Sequence, residues 1–304
     1  MANNITSHKT VELQDFIDAH EETLSKQTIK TYINDYKRFR TQMIGRQNIY
    51  NLTQKEIIDI VQKTDFNKRA LLNIAIVFLK WKSKEHTRLI KYRTELMDNK
   101  AEKQAEKNVA ILEKSGADYH DLMGVLDTAT GKDYILFYLL INFNTRNNDL
   151  IMRVISRRDK DKLNKEENFM VVGASKSRYI RNDYKTAKSF GSKEDVVRDE
   201  KFQKIMLNVL CDGGEYLFVN NKLKPYKQTE MGKFIKSRFK KYLPNSDLSQ
   251  AVIYKIIQNH AEQNGNIKMM KNMADARGHL IDTALNHYSS TNYYNKAEES
   301  DDDE

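Results

Sequence analysis

Proline is nearly absent from this 304-residue chain: there are 2, and the first is Pro225. With only 11 glycines beside them, the chain lacks the turn-formers of an all-β fold, and a mostly helical one is expected instead. Hydrophobic residues at 39% allow a packed core, and charged residues at 31% give a heavily charged surface. The length suits two ordinary domains or one large one. The lone Cys211 excludes an intrachain disulfide and fits a reducing compartment. The most apolar runs, Ala70–Leu79 and Tyr134–Phe143, are each interrupted by an asparagine and fall short of the ~20 residues of a membrane span. The opening MANNITSHKT lacks the apolar segment of a secretory signal. A soluble intracellular protein is expected.

The formal charge is +9. Six acids fall in the last eight residues, Ala297–Glu304, so the remainder stands at about +15. A body that basic points to a polyanionic partner, most often nucleic acid. Solubility alone is the plainer reading of the same charge. The acidic end reads as a disordered tail, able to fold back and compete with DNA.

Hydrophobic periodicity organises the first hundred residues into four short helices. Val11–Glu22 carries Val11, Leu13, Phe16 and Ile17 on one stripe. Ser25 caps a second helix with Ile29, Tyr32, Ile33, Tyr36 and Phe39 inward and Lys30, Lys37, Arg38 and Arg40 on its exposed face. Thr53 and Glu56 have capping-box spacing ahead of Ile57, Ile58 and Val61. A fourth helix follows Asp65 and runs through Leu71, Leu72, Ile74, Ala75, Phe78 and Leu79 to Trp81. From Lys84 to Lys114 there is neither Gly nor Pro, and Asp98–Lys107 has no core-forming residue. The domain reading is therefore a helical unit over 1–97, a charged helical linker over 98–108, a second domain over 109–296 and the tail over 297–304.

In the second domain Tyr119–Leu126 and Tyr134–Phe143 read as helices, the latter buried. Arg146 follows it and precedes what reads as another helix. Phe169–Val172, Arg178–Tyr184 and the shorter Glu194–Val197 read as strands, with Lys185–Lys193 a basic turn between the last two. Lys201–Leu210, Glu230–Tyr242, Gln250–Gln263, Ile267–Ala276 and Ile281–Tyr288 read as helices, and Tyr216–Asn220 as a short apolar step. The fold class expected is mainly α with a small antiparallel β-sheet inserted into the second domain.

One Cys and scattered His supply no zinc set, and neither a Walker-type nor a G-x-G-x-x-G loop occurs. What stands out is an order: Arg146 in INFNTRNNDL, Lys185 in NDYKTAKS, then Gly278–His279 with Tyr288 nine residues beyond. On these residues the chain resembles the tyrosine recombinase (phage integrase) family along nearly its whole length. The resemblance implies a helical core-binding domain, to which Leu24–Phe39 and Asn67–Trp81 correspond, and a mixed α+β catalytic domain, with duplex DNA clamped between the two. It implies Tyr288 as nucleophile and Arg146, Lys185 and His279 as its partners, with no cofactor, metal or ATP. Lys176, Lys188 and Lys193 compete with Lys185 for the general acid, Lys188 foremost. Tyr293 and Tyr294 lie near Tyr288, which the spacing favours. Lys30, Lys37, Arg38, Arg40 and Lys188 are the expected DNA contacts. A homotetramer on two duplexes is implied as well.

One motif departs from the family. Its H-x-x-R, roughly 23 residues before the Gly–His pair's histidine, aligns on Ala251 and Tyr254. Lys255 is the nearest cation and a poor substitute, lacking the planar fork of arginine and sitting ~100° round the helix. The family reading therefore carries an alternative: a non-enzymatic DNA-binding protein on the same fold.

Overall fold

The computed structural model describes residues 11–42, 48–98, 100–278, 280 and 285. The chain divides into two compact units, Met1–Lys100 and Ala101–Glu304.

The first unit is helical: α1 Val11–His20, α2 Lys26–Gln42, α3 Gln54–Gln62, α4 Lys68–Trp81 and α5 Thr87–Asp98. Its starts are written in polar caps. The Ser25 hydroxyl accepts the Thr28 N–H at 3.1 Å, and Thr53 and Glu56 form a reciprocal capping box. Asn67 caps α4 by accepting the Ala70 N–H. The core is aromatic, with Phe78 stacked on Phe16 and Tyr36 at 4.6 and 5.0 Å and Trp81 edge-on to Phe78. The fifth helix joins this core through Leu89, which is fully buried.

The second unit contains α6 Lys100–Ser115, α7 Tyr119–Thr128 and α8 Gly131–Asn142, then strands β1 Met152–Ser156, β2 Asn168–Val172 and β3 Ser177–Arg181. The short α9 Ala187–Phe190 precedes β4 Lys193–Val197 and helices α10 Glu200–Cys211, α11 Gln228–Tyr242, α12 Gln250–Gln263 and α13 Ile267–Ala276. Helix α6 crosses the segment read as a linker. Helix α8 is buried nearly all round, from Tyr134 to Ile141, as its apolar sequence demands.

The mostly helical class with one small sheet holds, and the sheet differs in detail. Its order is β1-β2-β3-β4; β2, β3 and β4 pair antiparallel, but β1 pairs parallel to β2. Strand β1 replaces the helix expected after Arg146. Met152 and Val154 are buried on either side of half-buried Arg153, an alternation too short for periodicity to separate from a helix. The connection 157–167 supplies the crossover that a parallel pair requires. Strand β3 stops at Arg181, short of Tyr184, because the Asn168 side chain captures the N–H groups of Asn182 and Asp183 at 2.9 and 2.8 Å. Tyr216–Asn220 makes only isolated bridges, Arg153 to Tyr216 and Val219 to Pro225. The helix expected over Ile281–Tyr288 falls almost wholly outside the described residues.

Candidate active site

Three chain segments far apart in sequence meet in the second unit. The first is the turn after α8. Asn144 takes a left-handed backbone, with φ of 49°, a conformation asparagine tolerates better than most residues. It turns the chain so that Arg146 can donate its N–H to the Asp149 carboxylate at 2.9 Å. The Arg146 side chain is half-buried.

The second segment is the turn after β3, which carries Lys185, exposed, and α9 with exposed Lys188. Lys193, at the start of β4, is engaged: its ammonium donates to the backbone and carboxylate of Asp275. Lys176 lies in the turn at the other end of β3, away from Lys185.

The third is the turn closing α13. Gly278 has φ of +60°, and a Cβ there would lie 2.3 Å from the Thr186 hydroxyl. Only glycine allows both the left-handed backbone and this approach. Thr186 donates its hydroxyl to the Arg277 carbonyl at 3.2 Å, and Arg181 donates to the Ala276 carbonyl at 2.8 Å. Arg277 reaches the first segment, its Nε donating to the Asn144 carbonyl at 3.1 Å. The turns bearing Arg146 and Lys185 are therefore both fastened to the chain just before His279. His279 and Tyr288 themselves lie outside the described residues.

Asp149 sits among these segments, 1% exposed. Burial raises its pKa, against the Arg146 N–H and the positive charges of Arg181, Arg146 and Arg277. Tyr179 donates its hydroxyl to the Asp149 carbonyl at 2.8 Å. Arg181 also pairs with Asp195 at 2.5 Å. Sequence reasoning missed Asp149, Arg181 and Arg277. The first stands three residues after Arg146 and the last immediately before Gly278, but no periodicity marks either.

On α12, Ala251 is exposed and Tyr254 is buried. The Arg277 guanidinium lies over the Tyr254 ring, 3.6 Å from its centroid. Lys255 is 8% exposed, and burial lowers its pKa. The residue that meets an arginine on this helix is thus Tyr254. A polar groove of about 290 Å³ opens beside Asn144, lined in part by Asn142, Asn266, Lys268 and Asn272.

In the first unit Lys30, Lys37 and Arg38 are exposed, with Arg38 reaching Asp35 at 3.3 Å. Arg40 is only half-exposed, and its charge acts inward on Glu12, a buried acid that accepts the Tyr36 hydroxyl. Among the described residues, no group of three or more His, Cys, Asp or Glu side chains is placed to hold a metal ion. No helix among them is long and apolar enough to cross a membrane.

No protein-family model matches the chain, and none of the curated proteins matches it. Among solved structures the chain is similar to the crystal structure of XerA recombinase, at 14% identity over 96% of this chain and 98% of that one, with a TM-score of 0.34.

Proposed function

We propose that this protein cuts and rejoins DNA strands as a tyrosine recombinase, with Tyr288 as nucleophile. The observation that carries the reading is the convergence of the Arg146 turn, the Lys185 turn and the Arg277–Gly278 turn through direct hydrogen bonds. The Tyr288 oxygen attacks a backbone phosphorus, the bond to the 5′ oxygen breaks, and a 3′-phosphotyrosyl link forms. The phenol gives up one proton and the departing 5′ oxygen gains one, from Lys185 or from Lys188 beside it, so the step is balanced. Arg146, with His279, supports the charge on the non-bridging oxygens. The 5′-hydroxyl of a partner strand reverses the step, and the energy of the broken ester stays in the covalent link. Lys30, Lys37 and Arg38 contribute phosphate contacts from the first unit, and the working form is a homotetramer on two duplexes.

A second reading has its own support: with Ala251 and Tyr254 standing where the family has His and Arg, the protein binds DNA without cutting it. A trapping assay separates the two. The protein is incubated with supercoiled DNA carrying the sequence that flanks its gene, denatured, and examined for protein bound to DNA. The recombinase reading expects an adduct that Tyr288→Phe abolishes while DNA affinity is kept. Tight, salt-sensitive binding with no adduct on any flanking sequence supports the second reading.

A further inference from the structure

We propose that Arg277 is a positioning residue for Arg146, using the Tyr254 ring as its platform and so serving the site from the α13 turn where α12 offers no arginine. As a statement about catalysis this rests on the recombinase reading; as a statement about the Arg146 turn it stands on geometry alone.

Four observations converge. The guanidinium lies over Tyr254, its central carbon 3.6 Å from the ring centroid. Its Nε donates at 3.1 Å to the carbonyl of Asn144, the left-handed residue whose backbone sets the direction of Arg146. Its charge joins that of Arg146 at Asp149, the carboxylate that accepts the Arg146 N–H. Finally, the side chain is 3% exposed, so it acts through the turn and not by meeting a ligand from solvent.

A guanidinium suits this place because its face and its edge work independently. The face stacks on an aromatic ring while the in-plane N–H groups remain directed at an acceptor. An ammonium keeps the charge but has neither the flat face nor a donor fixed in the plane. Tyr254 is therefore more than the residue found where an arginine is missing: it carries the arginine that arrives from elsewhere.

The test uses the full chain and the variants Arg277→Met, Arg277→Lys and Tyr254→Leu, with two readouts. Hydrogen exchange at the Arg146 amide reports the turn whether or not the protein cuts DNA. Adduct formation on DNA, measured beside DNA affinity, reports the reaction. We expect Arg277→Met to lose protection at the Arg146 amide about tenfold while amides of α8 and β2 keep theirs. Its adduct rate falls about a hundredfold at unchanged DNA affinity. Arg277→Lys recovers part of both losses, and Tyr254→Leu falls between. If wild type forms no adduct but the exchange pattern holds, the recombinase reading fails and the positioning role stands. Wild-type protection at Arg146 in both Arg277 variants overturns the proposal, and so does loosening spread evenly over the whole second unit. If Arg277→Met does not fold, Arg277→Lys decides by the same criteria.

Discussion

Each unit of this molecule buries a carboxylate, and the two are answered in different ways. In the first unit Glu12 accepts hydrogen bonds from the Tyr36 hydroxyl, one helix away, and from the Ile49 N–H, and feels the charges of Arg40 and Lys82. In the second, Asp149 has the N–H of its own turn and the charges of Arg146, Arg181 and Arg277, brought from three separate segments. Burial raises the pKa of both acids. The first arrangement lies in a helical core; the second lies where the three turns of the candidate site meet. The packing acid meets a side-chain hydroxyl from another helix, whereas the hub acid fixes the backbone of its own turn by accepting the Arg146 N–H.

The chain's single tryptophan, Trp81, belongs to the first unit, so its fluorescence reports that unit while circular dichroism reports both. The largest expected effect is that of Asp149→Ala. It leaves the Arg146 N–H without its acceptor and removes the buried negative charge near Arg146, Arg181 and Arg277, and we expect the second unit to lose about 3–5 kcal/mol. Urea unfolding followed by circular dichroism would register the loss and Trp81 fluorescence would not. An unchanged second transition would break the contrast between hub and packing acid. Next is Gly278→Ala, which forces a left-handed alanine against the Thr186 hydroxyl; its expected cost is about 2–3 kcal/mol, read in the same transition.

Smaller still is Glu12→Gln, expected to leave the first unit within about 1 kcal/mol of wild type at pH 7. Its sharper signature is in pH. Glu12 has a folded pKa above its ordinary 4.5, so the fold binds the proton more tightly than the open chain does. That contribution is full below the unfolded value and is lost as pH rises through the folded one. Trp81-monitored stability should therefore fall as pH rises from 4.5 across that window in wild type, and the Gln variant should lose this slope. The smallest effect on stability is that of Lys30→Ala with Lys37→Ala, two exposed lysines. We expect no shift in either transition and a lower DNA affinity. The slope of log affinity against log salt should shrink by about 1 for each lysine that meets a phosphate.

The same contrast governs what the sequence discloses. The first unit is built from local rules: the Thr53–Glu56 box, the Ser25 cap and the apolar stripe of α4 appear as they read. Likewise α12 and α13 begin and end where their periodicity predicts. Strand β1 was illegible because five residues between polar turns carry too little pattern, and what makes them a strand is β2 alongside. The candidate site divides in the same way. Arg146, Lys185 and Gly278 follow an order that can be read along the chain. Arg277 could not be read so, because its role comes from Tyr254 and Asn144, residues distant in sequence and adjacent only in the fold. Lys255, the cation next to Tyr254 in the sequence, is 8% exposed, a burial that its helical neighbours alone do not announce.

The hydrogen bond from Arg277 to Asn144 closes a loop of 133 residues, and this sets an order in time. During synthesis the first unit has all its partners in hand and can fold while the rest of the chain is still being made. The turn that carries Arg146 emerges early but has nothing to fasten it until Arg277 has left the ribosome. Long-range closures of this kind are also the slow steps of folding. A nascent or truncated chain that stops short of Arg277 would hold a finished first unit and an unfastened Arg146, so the two turns are joined only once Arg277 has been made.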